Sequence, residues 1–260
     1  MSRSTFYYYM KHPIKDKYQA EKKEVLEIFA LHKGRYGYRR VLMILRSRGC
    51  KLNHKTVQKL MKSLNLKGKQ RKNDKYHSYK GQVGEVADNH LNREFYADKP
   101  FEKLTTDVTQ FKIGDDRVYL SPVMDLYNRE IISYSISTSP NLQQIREMLD
   151  GLFAKLPVDA TPLFHSDQGW QYQHAEYRRL LAKHNIKQSM SRKGNCMDNG
   201  AMENFFGRLK VEMFYGEKFE SVNAFIDELN RYIYYYNNER ISLKLKGMSP
   251  VQYRTHSLVI

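Results

Sequence analysis

Strand-like and helix-like patterns alternate along the rear of the chain, and their order limits the folds open to it. Three β-rich runs separated by turn residues predict an antiparallel meander. Helix and strand patterns then alternate, so we expect the later strands to pair in parallel with helices covering the sheet. The predicted strands are 103–113, 117–126, 131–137, 162–166 and 186–191, and the predicted helices are 142–156 and 175–184. The fold class is therefore α/β, with a mixed five-stranded sheet flanked by helices.

Two aspartates interrupt or end the apolar runs of this sheet. Asp107 lies on the first predicted strand and Asp167 lies just past the fourth. Right-handed crossovers commonly bring such strands side by side, so we expect the two carboxylates to face one another. Glu203 lies in a helical pattern that can aim its carboxylate at the pair, and Lys210 follows two turns later on nearly the same side. The apolar positions of that helix are Met202, Phe205, Phe206 and Leu209.

Three buried carboxylates need a positive partner, because desolvating them alone is costly. The absence of a histidine or cysteine partner in this set favours a hard cation, and Mg²⁺ or Mn²⁺ prefers oxygen ligands. Two such ions about 4 Å apart activate an attacking oxygen and stabilise the departing oxygen of a phosphodiester. The pattern predicts phosphoryl transfer with Asp107, Asp167 and Glu203 as metal ligands and two metal ions as cofactors.

The positive charge of the chain is concentrated in its front part. Residues 1–95 hold 23 Lys or Arg against 8 Asp or Glu, whereas residues 96–260 hold 21 against 20. Such an asymmetry indicates a polyanion held by the front part, and DNA or RNA is the usual one. The alternative is a solvated basic face that only aids solubility.

Three short amphipathic helix patterns occupy residues 21–66. Gly49 is expected to end the second helix and Asn53 to cap the third. The third helix resembles the last helix of a helix-turn-helix module, which enters a major groove. A structural bundle or a dimerisation unit is the alternative. The polar side of this helix, the predicted DNA-contacting side, carries Lys55, Gln58, Lys59 and Lys62.

These patterns divide the chain into four parts. We expect an N-terminal arm at 1–20, a small all-α DNA-binding domain at 21–66, a basic linker at 67–99 and a catalytic domain with C-terminal helices at 100–260. The linker combines a basic run with no apolar period and several turn residues. It is either an extended arm lying along a phosphate backbone or a flexible tether.

Several motifs carry a family resemblance. The run Ser189–Asn199, followed by Glu203-Asn204-Phe205-Phe206-Gly207 and Leu209-Lys210, resembles the signature of bacterial insertion-sequence transposases of the IS-three type, within the retroviral-integrase-like superfamily. The 35 residues between Asp167 and Glu203 match the acidic spacing of that superfamily. Three further motifs resemble other landmarks of this family and occur in the same order along the chain. They are Thr106-Asp107-Val108-Thr109, His165-Ser166-Asp167-Gln168-Gly169 and Tyr236-Asn237-Asn238-Glu239-Arg240 with Ser249-Pro250.

The resemblance implies an RNase H-like catalytic fold with divalent metal at the three carboxylates. It implies cleavage of DNA at the element's terminal repeats, followed by joining of the freed 3′ hydroxyl to target DNA. Lys210 carries over as a contact to the transposon end, and we expect the loop with Arg192 and Lys193 to order on DNA. It also implies a homo-oligomer on DNA and, in many members, a fusion to the protein of an upstream reading frame.

Two other function classes stay open. A catalytically silent DNA-binding regulator has no reason to gather three carboxylates near a phosphate backbone, which they repel. A nuclease that cuts RNA–DNA hybrids shares the fold and metals but does not need the basic helical front. No apolar run is long enough to cross a bilayer, so we expect a soluble protein without a membrane partner. The resemblance implies that it acts in the bacterial cytoplasm, associated with the nucleoid.

Other polar residues compete for a functional role. His165 either assists a metal or phosphate or is a hydrogen-bonded structural histidine. We expect Asp198 to cap the helix of Glu203. Most of the remaining acidic residues are expected at the surface or in caps; the ones weighed are Asp115, Asp116, Asp125 and Glu212.

Overall fold

The computed structural model describes residues 2–11, 16–70, 85–193 and 195–257. The chain divides into two compact units, Met1–Lys69 and Gln70–Ile260. The middle of the predicted linker, residues 71–84, lies outside the described residues.

Four helices make up the described part of the first unit: α1 (Arg3–Lys11), α2 (Gln19–Leu31), α3 (Tyr38–Ser47) and α4 (His54–Ser63). The three predicted amphipathic helices are confirmed as α2 to α4, and α1 occupies part of the predicted N-terminal arm. Apolar side chains spaced at helical intervals on α2 to α4 are buried, as the pattern requires. They include Val25, Ile28, Val41, Leu45, Val57, Leu60 and Met61.

Local sequence sets the boundary between α3 and α4. Gly49 follows α3 with φ of +89°, a conformation that glycine adopts without a steric penalty. The Cys50 N–H then donates to the Leu45 carbonyl at 2.9 Å and closes the helix end. Asn53 caps α4, because its side-chain oxygen accepts from the Lys55 N–H at 2.9 Å.

A six-stranded mixed sheet forms the centre of the second unit. Its strands are β1 (Lys103–Thr106), β2 (Thr109–Ile113), β3 (Asp116–Asp125), β4 (Ile131–Ser137), β5 (Leu163–Ser166) and β6 (Lys187–Met190). β3 pairs antiparallel with β1, β2 and β4, whereas β5 pairs in parallel with both β1 and β6. The helices of this unit are α5 (Leu142–Phe153), α6 (Trp170–Gln173), α7 (Ala175–Lys183), α8 (Gly200–Leu209), α9 (Val222–Asn238) and α10 (Pro250–Ser257).

The mixed α/β sheet is confirmed, but the predicted first strand is split in two. β1 and β2 pair with β3 in one continuous register, from Leu104 opposite Asp125 to Ile113 opposite Asp116. Continuing that register places Asp107 opposite Pro122, which has no N–H to donate to a ladder. The sheet therefore has six strands instead of five, and the break falls at the first aspartate of the predicted site.

Helices cover both faces of the sheet. On one face, Phe164 packs in a buried cluster with Met148 of α5 and Leu181 of α7. On the other face, Phe111 of β2 lies 5.0 Å from the Phe225 ring of α9, centroid to centroid. Side chains along a strand alternate between faces, so the odd-numbered residues of β1 and β2 point towards the face that α9 covers.

The end of the predicted linker is packed against the sheet. Within residues 85–99, Leu91 and Ala97 are buried. The backbone N–H groups of His90 and Leu91 both donate to the Ser189 hydroxyl of β6, at 2.9 and 3.2 Å. This segment is neither an extended arm nor a free tether, because β6 supplies partners for its backbone.

Among the described residues, every helix is too short or too polar to traverse a lipid bilayer.

Candidate active site

Asp107 and Asp167 follow neighbouring parallel strands in matching register. The last paired residues of β1 and β5 are Thr105 and His165, and each aspartate lies two positions further along. Adjacent strands lie about 5 Å apart, so the two aspartates leave the sheet side by side. The parallel pairing that the strand order predicted is what brings them together.

A backbone N–H donates a hydrogen bond to each aspartate carboxylate and orients it. The Val108 N–H donates to Asp107 Oδ1 at 2.7 Å, and the Gly169 N–H donates to Asp167 Oδ1 at 2.9 Å. A Cβ on Gly169 would lie 2.9 Å from that same Oδ1 atom, closer than real Cβ atoms approach their neighbours. Glycine at position 169 therefore lets the backbone reach the Asp167 carboxylate.

Glu203 approaches the pair from the first turn of α8. The predicted apolar face of this helix is confirmed, since Met202, Phe205, Phe206 and Leu209 are all buried. Glu203 is half-buried. Its negative charge raises the pKa of Asp107, which places the glutamate within electrostatic reach of the first aspartate.

Asn199, immediately before α8, ties this helix to β1. Its Oδ1 accepts from the Thr105 hydroxyl at 2.6 Å, and its Nδ2 donates to the Thr106 carbonyl at 3.0 Å. All three residues are buried. The strand that leads to Asp107 and the helix that carries Glu203 are thus joined by two hydrogen bonds, an arrangement that the sequence analysis missed. The available signal was the pair of hydroxyl side chains, Thr105 and Thr106, directly before Asp107 in the predicted strand.

The electrostatics of the aspartate pair favour a cation. Burial raises the pKa of Asp107 well above its usual range, and the charges of Asp167 and then Glu203 raise it further. Lys210 and the Val108 N–H act in the opposite direction and do not cancel this rise. Burial also raises the pKa of Asp167. Carboxylates held together in this way gain free energy when a positive ion joins them.

Lys210 begins a π-helical turn, Lys210–Phe214, directly after α8. Its Nζ atom lies 5.5 Å from the centroid of the Phe111 ring. Burial lowers the pKa of Lys210, while the charge of Asp107 opposes that change. The predicted placement of Lys210 on the side of the carboxylates agrees with this interaction.

The donor chemistry of the three carboxylates suits a hard cation, because every ligand atom that they offer is an oxygen. Among the described residues, however, no three His, Cys, Asp or Glu side chains lie close enough together to hold a metal ion as they stand. Asp167 and Glu203 act on Asp107 through their charge, so binding a metal ion requires these carboxylates to move closer together.

Asp198 is the centre of a buried ion-pair network, so the prediction that it caps α8 is wrong. Its carboxylate accepts from the Arg192 guanidinium at 2.9 and 3.0 Å, from Arg93 Nε at 2.7 Å and from Asn89 Nδ2 at 3.0 Å. The Arg192 hydrogen bond, ahead of the other partners, holds the pKa of Asp198 far below its usual range. The network fastens residues 85–93 to the loop that precedes α8.

The two predicted DNA-contacting residues of this loop differ in their surroundings. The Arg192 guanidinium is paired with Asp198, although about half of its side chain stays exposed. Lys193 is exposed. Gly194, between this lysine and the rest of the loop, lies outside the described residues.

His165 is a structural histidine in this fold. Its two ring nitrogens lie 2.9 and 3.0 Å from the Ser189 and Ser191 hydroxyls. Burial lowers its pKa to about 4, so it is neutral near pH 7. Both ring nitrogens are occupied by serines, which leaves neither for a metal ion or a phosphate.

Two acidic residues expected at the surface or in caps are buried instead. Glu212 forms an ion pair with Arg240 at 2.6 Å, and both side chains are almost fully enclosed. Asp125 is buried and accepts from the backbone N–H groups of Phe101 and Tyr127 at 2.8 and 2.9 Å. Asp115, in the turn between β2 and β3, and Asp116, the first residue of β3, are exposed, as predicted.

In the first unit, the predicted DNA-contacting side chains share the solvent-facing side of α4. The opposite side of this helix is buried through Val57, Leu60 and Met61. The exposed residues are Lys55, Gln58, Lys59 and Lys62.

Known proteins that resemble this chain agree with the family resemblance that its motifs indicate. A family model described as an integrase core domain matches residues 97–196, a second integrase core domain model matches residues 203–258, and an HTH-like domain model matches residues 16–73. InsK of insertion sequence element IS150 from Escherichia coli K12, which is named as a transposase, is 50% identical over 98% of this chain and 90% of its own length. Transposase InsF for insertion sequence IS3A from Escherichia coli K12 is 34% identical over 90% of this chain and 82% of its own length.

A solved structure supports the same fold. A chain of the simian T-cell lymphotropic virus intasome in complex with PP2A regulatory subunit B56 gamma has a TM-score of 0.51 and 14% sequence identity, and the match covers 88% of this chain and 74% of that chain. At this identity the likeness concerns the fold alone, and it agrees with the predicted integrase-like architecture.

Proposed function

Because this chain belongs to the insertion-sequence transposases of the IS-three type, which are DDE polynucleotidyl transferases with an integrase core domain, we propose that it cleaves phosphodiester bonds at the ends of an insertion element. The freed 3′ hydroxyl then attacks a second phosphodiester in target DNA, in line with the departing oxygen. Asp107, Asp167 and Glu203 carry both steps.

The observation that carries this proposal is the register of β1 and β5. It leads Asp107 and Asp167 out of the sheet side by side, while α8 brings the charge of Glu203 to the same place. Three carboxylates within electrostatic reach of one another repel a DNA backbone unless cations intervene. Their grouping therefore supports metal-dependent chemistry on a phosphodiester over binding alone.

Mg²⁺ or Mn²⁺ is the cofactor that these oxygen ligands fit, and Asp107, Asp167 and Glu203 would hold two such ions. When bound, the ions supply Lewis acidity that activates the attacking oxygen and neutralises charge on the departing one. The protein's part is to position the carboxylates and the DNA strand. Lys210 contacts a phosphate of the element end, since its ammonium lies near Asp107 on the same face.

Double-stranded DNA is the proposed partner, as terminal repeats and as target. The exposed lysines of α4 contact the terminal repeats within an HTH-like domain, and Lys193 contacts DNA near the reacting bond. Two ends have to be held together for joining, so the chain acts as a homo-oligomer on DNA, and a fusion with an upstream-frame protein contributes to end recognition. We place this activity in the bacterial cytoplasm, at the nucleoid.

An end-joining assay tests the proposal. The full chain is incubated with Mg²⁺ and labelled duplex that carries the element's own terminal repeat, and nicked and joined products are separated. Glu203→Gln is expected to lose both products by at least about a thousandfold and to keep its affinity for the duplex, because the amide removes one ligand charge and little volume. Asp107→Asn and Asp167→Asn are expected to behave alike.

Matched controls come from exposed acids away from the site. Glu220→Gln and Asp115→Asn change the same chemical groups at the surface and should leave both products unchanged. If Glu203→Gln still joins strands at the wild-type rate, the assignment is wrong. Cleavage of an RNA–DNA hybrid in preference to the element end would instead support the hybrid-cutting nuclease, and duplex binding without any product would support the silent regulator.

A further inference from the structure

A cavity of about 510 Å³ lies beside α8, away from the acidic side chains of the candidate site. Its wall on α8 is formed by residues 200, 201, 204, 205 and 208, roughly a third of a turn around the helix from Glu203. The cavity thus shares a helix with the proposed active site without using the same face.

The floor of this cavity is apolar and largely aromatic. Phe205 and Tyr236 are almost fully buried beneath it, together with Met124 and Leu245. Phe95, from the segment that packs on the sheet, is half-buried and closes one side. Phe205 and Tyr236 are too enclosed to offer a ring face, so the aromatic ring of the lining that stays partly exposed is Phe95. A partly exposed ring suits a planar, apolar group that stacks on it.

The polar part of the lining is cationic. Arg129, Arg208, Arg240 and Lys244 come from separate parts of the unit, and the lining residues that the structure describes include no carboxylate. Glu212 neutralises Arg240 from beneath, and Arg129 donates one N–H to the Phe95 carbonyl at 2.8 Å. Arg208 and Lys244 are exposed. A positive rim over an apolar floor matches a ligand that is itself anionic at one end and planar at the other.

Gly200 leaves open space in this cavity, although its backbone conformation does not require a glycine. Its φ is −58°, an ordinary helical value that any residue adopts. A Cβ added at position 200 would point at the Phe95 ring, 3.9 Å from the nearest ring atom. The glycine therefore keeps the space in front of Phe95 open.

We infer that this cavity binds one unpaired nucleotide of the DNA strand on which the enzyme acts, with the base stacked on Phe95 above the apolar floor and its phosphate at the Arg208 and Lys244 rim. The inference rests on the proposed function. A paired base has both faces covered by its neighbours, so only an extruded or single-stranded base stacks on such a ring. An acidic peptide would match the cations but would leave the Phe95 ring without a partner.

Binding of two single-stranded probes to the full-length chain tests the inference. One probe is fluorescein-labelled dT12 and the other is an abasic deoxyribose-phosphate strand of equal length, both followed by fluorescence anisotropy. The wild type should prefer dT12 by about tenfold, which is the scale of one base stacked on aromatic side chains. Gly200→Leu fills the space before Phe95 and should cut that preference to about twofold or less, with unchanged affinity for the abasic strand.

Three further variants distinguish the contribution of the base to binding from that of its phosphate. Gly200→Ala adds only a methyl group at ordinary contact distance and should keep the preference. Arg208→Glu should weaken both probes and reduce the slope of log affinity against log salt by about 0.7, the value for one phosphate contact on a single strand. Lys183→Glu reverses an exposed charge on α7, outside the cavity lining, and should change neither quantity.

Cross-linking then locates the base. A dT12 strand with one 5-iodouracil should form adducts on the peptide that contains Phe95. An unchanged preference in Gly200→Leu, or adducts confined to other peptides, overturns the inference. So does a hexaglutamate peptide that displaces dT12 as well as unlabelled dT12 does, since that result assigns the cavity to an acidic protein segment.

The same probes keep this inference distinguishable from the proposed function. Glu203→Gln should lose strand joining and retain the preference for dT12, because Glu203 does not line the cavity. If Glu203→Gln joins strands normally, the proposed function fails whatever the probes show. If Glu203→Gln is inactive but Gly200→Leu keeps the wild-type preference, the cavity inference fails alone.

Discussion

Asn199→Ala is expected to disable the enzyme while leaving it folded, because Asn199 joins the strand before Asp107 to the helix of Glu203. The alanine removes the bond from the Thr105 hydroxyl at 2.6 Å and the bond to the Thr106 carbonyl at 3.0 Å. It leaves both partners buried, where water does not replace the lost bonds. The substitution breaks a link between two elements without touching a carboxylate of the candidate site.

The size of the effect follows from the two bonds. Leaving a buried polar group unpaired costs about 1–3 kcal/mol, so losing both bonds should lower the free energy of unfolding by roughly 2–6 kcal/mol. Ordinary domains have about 5–15 kcal/mol of stability, so a domain in the middle of that range stays folded near room temperature after this loss. A displacement of about 1 Å at a reacting centre costs about a hundredfold in rate, so strand joining should fall by at least that factor.

The assay pairs urea unfolding with single-turnover joining, at a temperature where each variant is folded. Ser133→Ala is the matched control: its hydroxyl donates to the Met148 carbonyl at 2.7 Å in a buried link between β4 and α5, on the other face of the sheet. It should lose stability and keep its joining rate. Thr105→Ser, which retains the hydroxyl, should be active, whereas Thr105→Val should resemble Asn199→Ala. Wild-type joining by folded Asn199→Ala would refute a positioning role.

Three further predictions concern other groups. Asp198→Asn should lower the free energy of unfolding by about 1–3 kcal/mol and speed amide exchange within 85–93, because that segment is tied to Asp198; unchanged exchange would show that other contacts hold it. Burial raises the pKa of Asp125 to about 6. Protonated Asp125 therefore contributes about 3 kcal/mol to the free energy of unfolding below about pH 4, and this contribution is lost as the pH rises through 6. Urea midpoints of Asp125→Asn should lack that decline between pH 4 and 6, whereas Asp115→Asn should keep it, and equal profiles would contradict the assignment. Lys59→Glu should weaken duplex binding and reduce the steepness of log affinity against log salt concentration by about 0.9, without changing the midpoint of thermal unfolding. An unchanged slope would mean that Lys59 contacts no phosphate.

The strands and helices were predictable wherever one local pattern determined them. The predicted strand 131–137 and the start of the helix at Leu142 agree with the structure. The meeting of Asp107 and Asp167 was also predictable, since it depends only on the order of strands and the handedness of crossovers. The first strand was predicted as continuous because its own residues favour β structure throughout. Its break depends on Pro122 of the partner strand, which no local pattern within 103–113 contains.

The buried charges were not predictable for a similar reason. Asp198 lies just before a helix, where local sequence favours a cap, but two of its partners come from Asn89 and Arg93 about a hundred residues earlier. Glu212 was expected at the surface because burial of a lone carboxylate is costly. Its partner, Arg240, lies 28 residues later and reaches it only after α9 has turned the chain back.

Asp198 and Asn199 are adjacent in sequence and hold the start of α8 from two directions. Asp198 fastens it to the segment 85–93, and Asn199 fastens it to β1. With its beginning fixed in this way, α8 has little freedom to slide towards the aspartates. The three carboxylates nevertheless do not stand at ligand spacing among the described residues. We expect rotation of the Glu203 side chain to provide the closure around a metal ion, because it leaves the two links intact. Glu203→Asp, which shortens that side chain, should then reduce strand joining nearly as much as Glu203→Gln.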